Sequence, residues 1–132
     1  MGQNLKGGEV IELISDVGGG KTTFVRGLAE GMGSADRVSS PSFTLTNQYR
    51  SDKLTMQHFD FYRLSEPGIM KQELAEYVHD AATVTVVEWA DIVTDVLPAD
   101  RVSITIAAVS DNSRQYRITY CDTAKHIIEH IV

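Results

Sequence analysis

SDVGGGKTT, residues 15–23, is the stretch whose reading decides the fold. A strict phosphate loop reads Gly, four residues, then Gly-Lys-Ser/Thr. Gly20-Lys21-Thr22 completes that pattern, but Ser15 stands where the opening glycine belongs. Physically, such a loop needs inward-turned backbone N–H groups, a helix that starts at once, a lysine and a hydroxyl. Gly18, Gly19 and Gly20 meet the first need, because residues without Cβ tolerate positive φ. A helix from about residue 21 would aim its positive end at an anion. Lys21 is placed to contact β- and γ-phosphates, and the Thr22 hydroxyl to serve Mg²⁺. Asp16, Val17 and Thr23 complete the nucleotide-binding stretch. The substituted position lies furthest from the lysine; serine there costs on the order of 1 kcal/mol only if its φ is positive.

Outward from the loop, the apolar run EVIELI (9–14) predicts a buried strand. KTTFVRGLAEGMG predicts a helix with Phe24, Leu28 and Met32 along one stripe, Val25 and Ala29 beside them, and a stop at Gly31 and Gly33. Gly27 weakens that helix by about 1 kcal/mol relative to alanine, so a packing reason is expected there. RVSSPSFTLTNQY reads as a loop, marked by Pro41, that runs into a strand; TMQHFDFYRL (55–64) reads as another strand. Ser65 is placed to cap a helix over about 66–79. ATVTVVEW (82–89) predicts a strand closing on Glu88-Trp89, followed by a short helix through Ile92, Val93, Val96 and Leu97 that Pro98 stops. RVSITIAAV and RQYRITYC flank SDNS as a hairpin, and TAKHIIEHIV suggests a short final helix. Strand, loop and helix followed by further strands with helices between them give an α/β fold, and the hairpin makes the sheet mixed.

The chain has 132 residues, enough for one domain and too few for two ordinary ones. A net charge of −6 argues against a dominant nucleic-acid-binding surface. Cys121 is the only cysteine, which excludes an internal disulfide and a cysteine-rich zinc site. No signal-peptide core is present, and no run approaches the roughly 18 apolar residues of a membrane span. A cytoplasmic location without membrane attachment is expected.

Beyond the loop, the chain resembles the TsaE family, small bacterial P-loop ATPases of the tRNA threonylcarbamoyladenosine pathway. The family's G-D-L-G-A-G-K-T-T is matched by SDVGGGKTT, its S-P-T-x-T-L by SPSFTL (40–45), its H-x-D-x-Y-R-L by HFDFYRL (58–64) and its E-W-P by EWA (88–90). A leucine-proline before the final strand pair is matched by Leu97-Pro98. The motifs run in order from about residue 9 to about residue 120. The resemblance implies a single P-loop NTPase-like domain over 1–132, a three-layer αβα sandwich with a mixed central sheet and a C-terminal β-hairpin. Relatives carry a helix before the first strand; only eight residues precede EVIELI here, so that helix is expected to be missing and one sheet face less covered.

The residues and the resemblance together nominate a site. Glu88 ends a strand, where α/β proteins bind ligands; the family pattern makes it a Mg²⁺ ligand, direct or through water. Asp60 lies in an aromatic run, so a buried carboxylate there needs a partner such as Arg63, His58 or the metal site. Its role is catalytic or metal-linked, with a structural ion pair as the alternative. His58, read alone, is a core or strand histidine. Ser42 and Thr44 fall in a segment that acts as a nucleotide-sensing switch in this family, although capping or turn hydroxyls read equally well. Trp89 packs near the site, against a partner or in ordinary core, and Arg114 is placed to reach the nucleotide from the last hairpin. The implied activity is Mg²⁺-dependent hydrolysis of ATP to ADP, with Lys21, Asp60 and Glu88 as its catalytic residues. No internal arginine finger is evident, so turnover is expected to be slow alone and faster with the family's partners TsaD and TsaB. Contact with tRNA is then indirect, through the complex. The competing readings are a small-molecule kinase and a nucleotide-dependent assembly module that does not hydrolyse. The chain has only 12 Lys and Arg, and no arginine-rich lid is evident for the kinase.

Overall fold

The computed structural model describes residues 1–15, 20–41, 44–66 and 68–129. Six strands form one sheet: β1 (Val10–Ile14), β2 (Thr46–Arg50), β3 (Thr55–Asp60), β4 (Thr83–Glu88), β5 (Val102–Ser110) and β6 (Ser113–Thr119). Among the described residues, two α-helices, α1 (Lys21–Met32) and α2 (Ile69–Val78), and 3₁₀ segments at Gly2–Asn4, Ala90–Val96 and Asp122–Ile128 accompany it. The spatial order is β2-β3-β4-β1-β5-β6. β3, β4, β1 and β5 run parallel, while β2 and β6 are antiparallel edges. The sheet is therefore mixed at both edges, one of them the expected C-terminal hairpin.

Burial follows that order. β4, TVTVVE, is buried at every position, which suits a β-branched run covered on both faces. β6 is exposed along most of its length, as an edge strand permits. Alternate residues feed two cores. Ile11, Leu13, Val84, Val86, Ile104 and Met56 meet Val25, Leu28 and Ala29 of α1. Val10, Phe59 and Val87 meet Leu74 and Val78 of α2, together with Val93 of the 3₁₀ segment after β4. Helices on both faces of one sheet make the expected three layers. On the α1 face, Leu5, which follows the first 3₁₀ turn, and Ala124 and Ile127 of the last one also enter the core.

Several local expectations shift, each for an identifiable reason. β3 stops at Asp60, short of residue 64, because the Asp60 carboxylate accepts the Tyr62 N–H at 2.9 Å and turns the chain. α2 starts at Ile69, behind Gly68 with φ 53°, so Ser65 is not its cap. β4 ends at Glu88, and Trp89 takes a left-handed conformation with φ 56°. The segments after β4 and β6 wind as 3₁₀ rather than α. Gly27 has open space around it. The packing glycine is Gly31, where an added Cβ would lie 3.0 Å from Gly2 Cα, so the first turn of the chain rests directly on α1. Gly33 closes α1 as foreseen, at φ 100° with its N–H on the Ala29 and Glu30 carbonyls.

Candidate functional site

The parallel strands present their carboxyl ends together, and the pairing register sets the site. Leu13 of β1 pairs with Glu88 of β4, and Glu88 pairs with Asp60 of β3. Two carboxylates thus stand side by side in one row, next to the strand from which SDVGGGKTT departs. Cα partners in register point to the same face, so Asp60 and Glu88 share a face, and His58, two residues back, shares it with them. That face carries the α1 core.

α1 begins at Lys21, with Gly20 as its N-cap at φ 100°, a left-handed conformation that favours glycine. Lys21 is buried, and its Nζ donates to the Ser15 carbonyl at 3.1 Å. The same Nζ lies 4.0 Å from Glu88 Oε1 and 5.2 Å from the centre of the Trp89 ring. The ammonium therefore spans the two ends of the loop's frame, the close of β1 and the close of β4. Among the described residues, the non-glycine positions with positive φ are Leu45 and Trp89. Ser15 is not one of them, so the serine that replaces glycine bears no left-handed strain.

Glu88 is 3% exposed. A carboxylate so far from water needs compensation, and His58 supplies it, with Nε2 2.5 Å from Glu88 Oε2. Asp60 is 2% exposed, and its Oδ1 accepts the Tyr62 N–H. The Asp60 N–H in turn donates to the Leu45 carbonyl at 2.9 Å, and Leu45 N–H donates to the Pro41 carbonyl at 2.7 Å. The end of β3 is thereby tied to the segment around residues 40–45. Tyr62 and Trp89 lie ring against ring, with centroids 4.8 Å apart, at the mouth of the site.

The structure thus gathers Lys21, Asp60, Glu88 and Trp89. Thr22 is half-buried and Thr23 exposed, both in the first turn of α1. Thr44 is engaged in the turn before β2, where its hydroxyl donates to Asn47 Oδ1 at 3.0 Å. Arg114 Nη1 donates to the Ser110 and Ser113 carbonyls. Its Nε comes within 4.0 Å of where a Cβ on Gly20 would sit, so the hairpin tip borders the loop. Asp16, Val17, Gly18, Gly19 and Ser42 lie outside the described residues. His58, read from the sequence as a core or strand histidine or as a partner of Asp60, is a fully buried residue of β3. It pairs with Glu88, not Asp60. Its signal was present in the i, i+2 spacing to Asp60, but only the register of β3 against β4 reveals the partner.

Comparison with known proteins meets this geometry from outside. The family model described as "Threonylcarbamoyl adenosine biosynthesis protein TsaE" matches residues 1–116. A tRNA threonylcarbamoyladenosine biosynthesis protein TsaE of Bacillus subtilis (strain 168) is 39% identical over 114 residues, covering 86% of this chain and 71% of the relative. One of the same name from Treponema pallidum (strain Nichols) is 34% identical over 118 residues, covering 89% and 87%. Among solved structures, a crystal structure of Bacillus subtilis YdiB superposes with a TM-score of 0.71 at 32% identity, covering 96% of this chain and 78% of that one. With the motifs, the fold and the family model in agreement over most of its length, the chain belongs to the TsaE family of threonylcarbamoyl adenosine biosynthesis proteins.

Proposed function

We propose that this protein is a Mg²⁺-dependent ATPase that supports the tRNA threonylcarbamoyladenosine modification machinery, acting with TsaD and TsaB in the cytoplasm. The observation that carries the reading is the placement of Lys21. It opens α1, behind a left-handed glycine, within reach of the Ser15 carbonyl and of Glu88 at the carboxyl end of the neighbouring parallel strand. A polyphosphate lodged at that helix end would meet the positive end of the helix and the ammonium together.

The residues present fit ATP and Mg²⁺. Mg²⁺ keeps several waters and takes one or two protein oxygens plus substrate phosphates; the half-buried Thr22 in the first turn of α1 and Glu88 at the end of β4 offer two such oxygens. Thr22 and Glu88 would hold it. Mg²⁺ would neutralise charge on the phosphates. Lys21 would leave the Ser15 carbonyl for the β- and γ-phosphate oxygens. Glu88 would orient the attacking water, and Asp60, one strand further, would fix the water shell beside it. Phosphoryl transfer asks for this kind of positioning more than for covalent chemistry. Arg114, the arginine beside Gly20, is occupied by hairpin carbonyls, which accords with slow turnover until partners order the site. The net charge of −6 accords with contact to tRNA only through the complex.

The test is Mg²⁺-dependent ATP hydrolysis with and without TsaD and TsaB, for the wild type and Lys21→Ala. Turnover is expected to be slow alone and stimulated by the partners. Lys21→Ala is expected to lose nucleotide affinity by about tenfold or more, in line with the ~1.5–3 kcal/mol of a charge-assisted hydrogen bond. Equal rates for both proteins with no stimulation would overturn the reading.

A further inference from the structure

We propose that His58 is a positioning residue that holds Glu88 in its working orientation and keeps it from closing onto Lys21. The proposal rests on the reading of Glu88 as the carboxylate of ATP turnover. His58 is fully buried. Its Nε2 lies 2.5 Å from Glu88 Oε2, while its Nδ1 has no hydrogen-bond partner among the described residues. A proton on Nδ1 would therefore have no acceptor, so the ring is best satisfied with Nε2–H donating to Glu88 and Nδ1 bare. The one engaged ring nitrogen is thus spent on the carboxylate at the carboxyl end of β4.

The geometry explains what the anchor does. His58 pairs in register with Val86, one side-chain step below the row that holds Asp60 and Glu88. From there it takes Oε2 and leaves Oε1 turned toward Lys21, at 4.0 Å and outside hydrogen-bond range. Released from His58, the Glu88 side chain could rotate and pair tightly with the ammonium beside it, taking both charges away from the phosphates. The ring itself is confined by Tyr49, with centroids 6.2 Å apart. Tyr49 is held in turn by its hydroxyl, which donates to the Ser39 carbonyl at 2.9 Å. A buried imidazole with one nitrogen on the carboxylate and an aromatic neighbour against its side is a rigid prop.

The experiment compares partner-stimulated ATP turnover for the wild type, His58→Leu, His58→Gln, Glu88→Ala and the His58→Leu/Glu88→Ala double variant. Leucine fills the volume without a donor, and glutamine returns an amide N–H near the place of Nε2. His58→Leu is expected to lower kcat about tenfold, the low end of the range seen when the group that orients a ligating side chain is lost, with KM within about twofold. His58→Gln is expected to recover most of kcat. In the Glu88→Ala background the leucine is expected to have no further effect, since there is no carboxylate left to position; general damage would slow that background too. Thermal melts of each variant establish that the fold persists. If Glu88→Ala slows turnover while His58→Leu does not, or if His58→Leu slows the Glu88→Ala protein as much as the wild type, the positioning role is overturned. An unfolded His58→Leu beside a folded, fully slowed His58→Gln would also overturn it. Should Glu88→Ala itself leave turnover intact, the reading of Glu88 fails first, and the two failures are told apart.

Discussion

The same central sheet carries a glutamate–histidine pair at each end, and the two pairs are built differently. At the amino end, Glu9 is fully used. Its carboxylate accepts the Lys6 and Gly7 N–H groups at 2.7 Å each and meets His126 Nε2 at 2.8 Å. At the carboxyl end, Glu88 spends one oxygen on His58 and turns the other toward a lysine 4.0 Å away. Glu9 is 8% exposed and Glu88 3%, so the more deeply buried carboxylate is the less completely satisfied one. An underused buried charge is costly, so the two ends differ in what they leave open: Glu9 closes a turn with both oxygens engaged, and Glu88 leaves Oε1 outside hydrogen-bond range of Lys21.

Replacing each glutamate is the sharpest way to break that contrast. Glu88→Gln is expected to lower partner-stimulated ATP turnover by about 10²-fold or more, the scale of a lost water-orienting carboxylate, while nucleotide binding measured by calorimetry without Mg²⁺ stays near wild type. Glu9→Ala is expected to do the reverse. It strands the Lys6 and Gly7 N–H groups, and stability in urea should fall by about 1–3 kcal/mol, with turnover of the folded protein unchanged. If Glu9→Ala impaired turnover in the folded protein, or Glu88→Gln impaired only stability, the two ends would not divide as claimed.

Much of this fold could be read from the chain, because its decisive elements are local. An apolar strand, a glycine loop and an amphipathic helix are contiguous in sequence, and residues 9–32 declare them together. The placement of Lys21 at the start of α1 and of Glu88 at the end of β4 was legible for the same reason: one follows the glycines and the other ends a β-branched run. What escaped was set by contacts between distant segments. Asp60 ends β3 by capping its own turn, which the strand-like, aromatic-rich pattern running on to residue 64 conceals. The partner of His58 depends on the register of β3 against β4, which no local pattern encodes. Gly27 and Gly31 look alike in the helix, and only the docking of the first chain turn separates them.

That last distinction gives a smaller but clean test. Gly27 is exposed and unhindered in mid-helix, so Gly27→Ala is expected to stabilise by about 0.5–1 kcal/mol. Gly31→Ala would press its Cβ to within 3.0 Å of Gly2 Cα and 3.2 Å of Gln3 N. It should fall below Gly27→Ala in chemical denaturation, because the same helical gain is offset by displacing the first turn. Equal gains at both sites would mean that the turn yields freely and contributes little to covering α1.

The smallest effect belongs to the pair that shares neither feature of the two glutamates. Lys71 of α2 hydrogen-bonds Asp95 of the 3₁₀ segment Ala90–Val96, joining two coverings of the same sheet face. Both side chains are open to solvent. The bond from Lys71 nonetheless holds the Asp95 carboxyl below its ordinary range. A carboxylate with a lowered folded pKa contributes stability above its unfolded value and loses it as pH falls through the folded one. The difference in melting temperature between wild type and Lys71→Ala should therefore be flat near neutral pH and vanish in acid, below the range of a free aspartate. It should also shrink in high salt, since an exposed pair is screened where a buried one is not. A difference that persisted into acid or survived high salt would mean that Lys71 acts through the packing of its stem, and that the exposed pair holds the two segments together by contact and not by charge.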